Sequence, residues 1–268
     1  ITLSGSSSIH IRITDDAGNS GTATTQAYTL DTTAPTQTFS SVDISADTGT
    51  ADDDFNTKTA AQTLTATLSA AIASDDILQV SIDAGSNWVD DDHATSDSTS
   101  LSTAITLAGS SAIHIRITDD AGNSGTADTT SYTLDTTAPT ITFSTVDISA
   151  DTGSSATDFI TKTAAQTLTG TLSAAMASDD ILKVSVDAGS NWAVVTTDVT
   201  GDPDTALSTA ITLAGTSSIH LQITDDAGNA GTADTTSYTL DTTAPTLSSI
   251  AIASNNAVTT QAKSGDAV

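Results

Sequence analysis

The sequence predicts an all-β protein made of tandem sandwiches. Composition, internal repetition and short runs of strict alternation predict it. The chain has 268 residues, of which 55 are Thr, 36 are Ser and 33 are Asp, with no Glu at all. Thr and Val fit the pleated, half-buried surface of a strand. Asp, Asn, Gly and Ser fit the turns between strands. Residues that favour helix interiors are sparse: there is one Met, only six Lys and Arg together, and no Glu.

Repetition divides the chain. DTTAP begins at Asp31, Asp135 and Asp241, and DDAGN begins at Asp15, Asp119 and Asp225. Both recur at spacings of 104 and then 106 residues. The expected domains are therefore two full repeats, 36–139 and 140–245, flanked by the C-terminal part of a repeat at 1–35 and the start of a divergent one at 246–268. Ile1–Asn19 matches Ile105–Asn123 closely, so the segment is expected to be a window from a longer array. The two repeats are identical at most positions. Their two-residue difference in length falls in a polar stretch, Asp90–Ser100 against Ala193–Ala206, where a surface loop tolerates insertion.

Within the first full repeat the elements follow in order. Strand A, near 36–44, contains Phe39, Val42 and Ile44, whose parity changes midway and predicts a bulge. Strand B, near 61–68, alternates Leu64, Ala66 and Leu68 with Thr. Strand C, near 77–83, carries Leu78, Val80 and Ile82, and C′ follows near 86–90. Strand E lies near 101–108. Strand F, near 111–118, points Ile113, Ile115 and Ile117 one way and His114, Arg116 and Thr118 the other. Strand G, near 126–135, carries Tyr132 and Leu134. DISADTG, SDD, DAGSN, LAGSS and DDAGN are the turns between them. About seven strands in about 100 residues specify the immunoglobulin-like form of sandwich. The fold expected is thus all-β: tandem immunoglobulin-like β-sandwiches of about seven strands each, arranged as an extended rod. Trp88, Phe39, Tyr132 and the Ile, Leu and Val set are expected to fill each small core. Burial alone gives such a domain modest stability.

Composition also excludes functions. A formal net charge of −27 opposes binding to nucleic acid or an anionic membrane. With no Cys, disulfides, Cys-ligated zinc and thiol catalysis are ruled out. No apolar run approaches the roughly 18 residues that span a bilayer. No nucleophile elbow, P-loop or dinucleotide fingerprint occurs. Ser81–Trp88 and Ser185–Trp192 are Asp-box-like and fit a C–C′ hairpin turn. His10, His114 and His220 occupy one outward strand-F position, and with His93 they form no pair at metal-ligand spacing. Enzymatic function is not expected. A Lys–Asn crosslink would require Lys58 or Lys162 buried beside an Asn and an acid.

The segments ITDDAGNSGTADTTSYTLDTTAP and DISADTG…DFITKTAAQTLTGTL resemble bacterial immunoglobulin-like tandem repeats of giant extracellular surface adhesins, of the type I-secreted, RTX-adhesin-like kind. The likeness covers both full repeats and the N-terminal fragment, but not the last 15 residues. It implies an extracellular location on a bacterial cell surface, export in that manner, and calcium at or near domain junctions.

The Asp residues admit three readings: calcium ligands, turn formers, or general acidification. Acidification would use Glu as well. Turn chemistry does not account for clusters such as Asp75–Asp76 or Asp52–Asp53–Asp54, which repel unless a cation intervenes. Ca²⁺ takes six to eight oxygens from flexible loops. Sandwich topology places the B–C and F–G loops at the pole where the preceding linker arrives. The candidate metal ligands at one junction are therefore Asp31, Asp75, Asp76, Asp119, Asp120 and Asn123. At the next they are Asp135, Asp179, Asp180, Asp225, Asp226 and Asn229. A second candidate is the A–B loop, with Asp43, Asp47 and Asp54 in one repeat and Asp147, Asp151 and Asp158 in the other.

The function expected is a structural extender, or stalk, stiffened by calcium. Its partners are neighbouring domains of the same chain, with lateral or end-to-end self-association left open, and neither nucleic acid nor membrane insertion is expected. The alternatives are a segment of an extracellular filament and a sugar- or protein-binding module, for which Asp90–Ser100 is the place to look.

Overall fold

The computed structural model describes residues 1–91, 97–195, 199–200, 205–250 and 264. All regular structure among them is β-strand. The chain packs as two compact units. One comprises Ile1–Thr142, Ala175–Lys183 and Gln222–Ala233; the other comprises Phe143–Ala174, Val184–Leu221 and Asp234–Val268.

At the N-terminus β1 (Ser7–Ile11) and β2 (Thr24–Tyr28) pair antiparallel, with Ile9 opposite Gln26. They are the sequence counterparts of strands F and G. Ile11 and Ile13 on this ribbon are exposed.

The first repeat contains β3 (Phe39–Ile44), β4 (Asn56–Thr57), β5 (Ala61–Leu68), β6 (Ile77–Ser81), β7 (Val89–Asp90), β8 (Ser100–Thr106), β9 (Ser110–Thr118) and β10 (Asp128–Leu134). They form two sheets, β3-β5-β8 and β4-β10-β9-β6-β7, which is the immunoglobulin-like arrangement. Each of the seven expected strands is present. The expected bulge in strand A lies between Ser40 and Asp43, with Ser41 held at a φ of 50°. The inward residues Leu64, Leu101, Leu78, Ile113, Ile115 and Tyr132 come from both sheets, and none is more than 3% exposed. Tyr132 ties the ends of this core together. Its hydroxyl donates to the Ile82 carbonyl at 2.9 Å.

The second repeat contains β11 (Phe143–Ile148), β12 (Ile160–Thr161), β13 (Ala165–Leu172), β14 (Ile181–Ser185), β15 (Ala193–Val194), β16 (Val199–Thr200), β17 (Ala206–Thr212), β18 (Thr216–Thr224) and β19 (Asp234–Leu240). Its sheets run β11-β13-β17-β16 and β12-β19-β18-β14-β15. β16 pairs with β17 inside the stretch where the repeats differ in length.

Two features depart from the sequence expectation. The short strand β4 pairs parallel with β10, Asn56 opposite Thr133 and Thr57 opposite Leu134. A two-residue strand is below the length at which alternation can be read. It is created instead by Phe55, which takes a φ of 61° and buries its ring to 7% exposure. The second departure is Trp88. It does not fill the core but lies on the outer face of β9, edge-on to His114 with centroids 6.2 Å apart and with the Arg116 guanidinium 3.8 Å from its ring centre. Trp192 is 36% exposed and stands against His220 in the same way. The aliphatic residues already fill the interior, and the outer face offers a cation and an imidazole to a large ring.

Candidate functional site

The DDAGN loops join strands F and G, and all three copies close alike. The first Asp accepts the backbone N–H of the Asn at 2.7 Å through Oδ1, in Asp15–Asn19, Asp119–Asn123 and Asp225–Asn229. It accepts the Asn side-chain amide at 2.9 Å through Oδ2. These bonds favour the carboxylate, so Asp15 and Asp119 titrate below the ordinary range, the Asn side-chain bond being the largest cause. The turn chemistry expected of Asp is thus fully engaged at this position.

The Asn amide then reaches outward. Asn123 Nδ2 donates to the carbonyl of Asp31 at 3.2 Å, and Asn229 Nδ2 to that of Asp135 at 2.9 Å. The carboxylates of Asp31 and Asp135 cap their own linkers, accepting from Thr33 N at 2.9 Å and Thr137 N at 2.8 Å. The linker also lies hard against the strand that leaves the loop. A Cβ on Gly125 or Gly231 would stand 2.7 Å from the carbonyl oxygen of Pro35 or Pro139.

Around the first of these seats, Asp31, Asp75, Asp76, Asp119 and Asp120 line one pocket with Thr29, Ala73 and Ala121. The linker and the B–C and F–G loops therefore meet as the topology requires. Burial pushes the Asp76 carboxyl above its ordinary value, and the charges of Asp119, Asp75 and Asp31 push in the same direction. At the second seat burial likewise raises Asp180, with Asp225, Asp179 and Asp226 adding repulsion. Asp180 also accepts the Ala177 N–H at 3.1 Å. Among the described residues no three carboxylates or imidazoles converge closely enough to hold a metal ion.

Asp226 is placed differently. Its Oδ1 accepts the Thr50 hydroxyl and its Oδ2 the Asn56 amide, each at 2.7 Å. Thr50 N donates to the Asp226 carbonyl at 3.1 Å, Thr48 Oγ1 to that of Ala227 at 2.7 Å, and Lys58 Nζ to that of Gly228 at 2.6 Å. These groups all belong to the first compact unit. Sequence periodicity gives no sign of this contact, because its members lie some 170 residues apart.

In the A–B loop Asp43, Asp47 and Asp54 accept backbone N–H groups of Ile44, Phe55 and Asn56 at 2.8, 2.8 and 2.9 Å. Asp147, Asp151 and Asp158 do the same for Ile148, Phe159 and Ile160. Burial raises Asp47, with Asp54 and Asp43 adding repulsion. One oxygen of Asp47 and one of Asp151 are buried without a hydrogen-bond partner.

The other sequence motifs have structural roles. Ser81–Trp88 folds as the turn between β6 and β7. There Asp83 accepts the Ser81 hydroxyl at 2.7 Å and the Asn87 N–H at 2.8 Å. His114 faces outward on β9 as expected, but it is half-covered by Trp88 rather than exposed. Lys58 and Lys162 are exposed, so the burial that a Lys–Asn crosslink needs is missing. Of Asp90–Ser100, residues 92–96 and with them His93 lie outside the described residues.

No protein-family model matches the chain, and no curated protein does. Among solved structures it is similar to a tetra-tandem repeat in the extending region of a large adhesion protein, at 20% identity and a TM-score of 0.26. That likeness covers 89% of this chain, which spans 57% of the length of that one. Fibronectin(III)-like modules of CbhA from Clostridium thermocellum are similar over 74% of this chain and 93% of theirs, at 14% identity and a TM-score of 0.43. A BSP domain of a biofilm-associated protein is similar over 70% of this chain and 28% of its own, at 16% identity and a TM-score of 0.22.

Proposed function

We propose that this chain is a structural extender segment of a bacterial cell-surface adhesin, located outside the cell, with calcium held among the carboxylates at the repeat junctions. The observation that carries the reading is the meeting of Asp31, Asp75, Asp76, Asp119 and Asp120 around one pocket where a linker enters a repeat. An extender needs each unit to repeat the same mechanical task, and near-identical sandwiches with the same linker seat meet that need.

Calcium suits the donor set. Carboxylate oxygens on short side chains and loop carbonyls are what a hard divalent ion takes. Asp31, Asp75, Asp76 and Asp120 would hold it at one junction, and Asp135, Asp179 and Asp180 at the next, the loops having to draw closer around the ion than they stand in this structure. The buried, unpartnered oxygens of Asp47 and Asp151 fit a cation in the A–B loops. The ion supplies neutralising charge and shared ligation between a linker and the loops it meets.

The test is thermal unfolding of the whole chain in chelator and in millimolar calcium, with hydrogen exchange on the linkers. With free ion at about 100 times its dissociation constant, each site adds roughly 2.7 kcal/mol. The melting temperature is expected to fall in chelator and linker exchange to quicken. Identical melting and exchange in both buffers would defeat the calcium assignment.

A further inference from the structure

The contact made by Asp226 has a counterpart surface in the second repeat, where two of its four residues differ and one of those differences removes a donor. In the first repeat Thr48, Thr50, Asn56 and Lys58 receive the loop 225–229. The aligned residues of the second repeat are Thr152, Ser154, Ile160 and Lys162. The groups that address the backbone of the incoming loop, Thr and Lys, are retained, and Ser154 keeps a hydroxyl. The Asn amide that addresses the loop's carboxylate is replaced by Ile160, which is 47% exposed. Lys162 Nζ has no partner among the described residues. The frame of the surface is otherwise the same in both repeats: Thr152 Oγ1 accepts Lys162 N at 2.9 Å, as Thr48 Oγ1 accepts Lys58 N at 2.9 Å.

The geometry points to a socket for the F–G turn of an immunoglobulin-like repeat, with position 56 in the first repeat and 160 in the second selecting the turn. Asn56 selects the DDAGN turn by donating to its second carboxylate. Ile160 selects a turn of the same backbone that carries an apolar side chain where DDAGN carries that Asp. The reason is desolvation. A carboxylate seated against Ile160 would give up water and gain no amide donor in return, whereas an apolar side chain there buries Ile160 at no polar cost. The occupant follows from the first repeat, where the equivalent surface holds such a turn. Lys162 and Thr152 remain to grip the carbonyls of any turn that takes the same path.

The pairing rule is testable in cis, in the full chain, where the occupant is present. The experiments are run in chelator, so that their outcome is separate from the calcium reading. The readouts are hydrogen exchange of the Thr50 amide by NMR and of peptides covering 222–233. N56I and D226L singly should each speed Thr50 exchange by about tenfold or more. The double variant N56I/D226L, which places Ile against Leu, should return it to within about threefold of the parent. N56A is run beside them to remove the amide without adding methyl groups, and it should match N56I alone. Unchanged protection of the β9 amides serves as the check on folding. Parent-like exchange in both N56I and N56A would overturn the role of position 56. A double variant as fast as the singles would overturn the apolar pairing assigned to Ile160.

Discussion

Replacing Tyr132 with Phe removes one oxygen atom and leaves the ring. The residue is 3% exposed, and its hydroxyl donates to the carbonyl of Ile82 at 2.9 Å while receiving the N–H of Ala108 at 3.4 Å. It thereby bonds the end of the β6 strand region to the turn before β9. In the Tyr132→Phe variant the half-buried Ile82 carbonyl has lost its donor. A net hydrogen bond is worth about 1 kcal/mol, and the partial desolvation of the orphaned acceptor raises the total to about 2 kcal/mol. For a domain of about 100 residues that corresponds to a fall in melting temperature of about 8–16 °C. The assay is differential scanning calorimetry with hydrogen exchange resolved by peptide. The loss should appear in peptides spanning 77–118 and spare those spanning 181–224. Y238F should show the mirror pattern, since Tyr238 donates to Val186 at 2.7 Å. A shift below about 2 °C in both variants would refute the hydrogen-bond reasoning and leave ring packing as the whole role of the Tyr.

Two further outcomes are expected. Asp83 and Asp187 are each held down to about 2 by hydrogen bonds, the Asn87 and Asn191 side chains first, so the fold favours their ionised forms. Their contribution is complete above the ordinary Asp value of 3.8 and is lost as pH falls toward 2; D83N/D187N should flatten the melting temperature across that window in a pH series. G231A should loosen the linker and quicken exchange after Pro139, because its Cβ would lie 2.7 Å from the Pro139 oxygen; G21A, whose Cβ would lie 3.6 Å from its nearest neighbour, should melt as the parent does.

What could be read in advance was whatever has a period. Leu64, Ala66 and Leu68 alternate with Thr, and strand B runs where that alternation runs. The parity break from Phe39 to Ile44 is the bulge itself. The junction carboxylates could be grouped because loop order in a sandwich fixes which loops share a pole. β4 could not be read, since its cause is the left-handed backbone of Phe55 rather than a pattern. Trp88 departs from expectation because size and apolarity suggest a core residue, while its neighbours His114 and Arg116 supply a better surface outside. The division of labour within DDAGN is hidden for another reason. Two adjacent carboxylates look equivalent as letters, yet Asp225 folds its own loop and Asp226 bonds to Thr50 and Asn56.

The parallel pairing of β4 with β10 also determines how a repeat carries load. β4 lies early in the repeat and β10 ends it, so tension applied through the chain pulls the two strands in opposite directions along their length. Thr133 N to Phe55 O and Asp135 N to Thr57 O, both at 3.0 Å, are then strained together in shear. They are not peeled apart one after another, as an antiparallel hairpin would be. The second repeat carries the same pair, Thr239 N to Phe159 O and Asp241 N to Thr161 O, at 3.0 and 2.9 Å. Each sandwich therefore has a small shear clamp between an early segment and its last strand, behind the β3–β5 or β11–β13 pairing that an N-terminal pull meets first. Because the clamp is two residues long, a pull that has freed the preceding strand would meet only these two hydrogen bonds before it reached the hydrophobic core behind them.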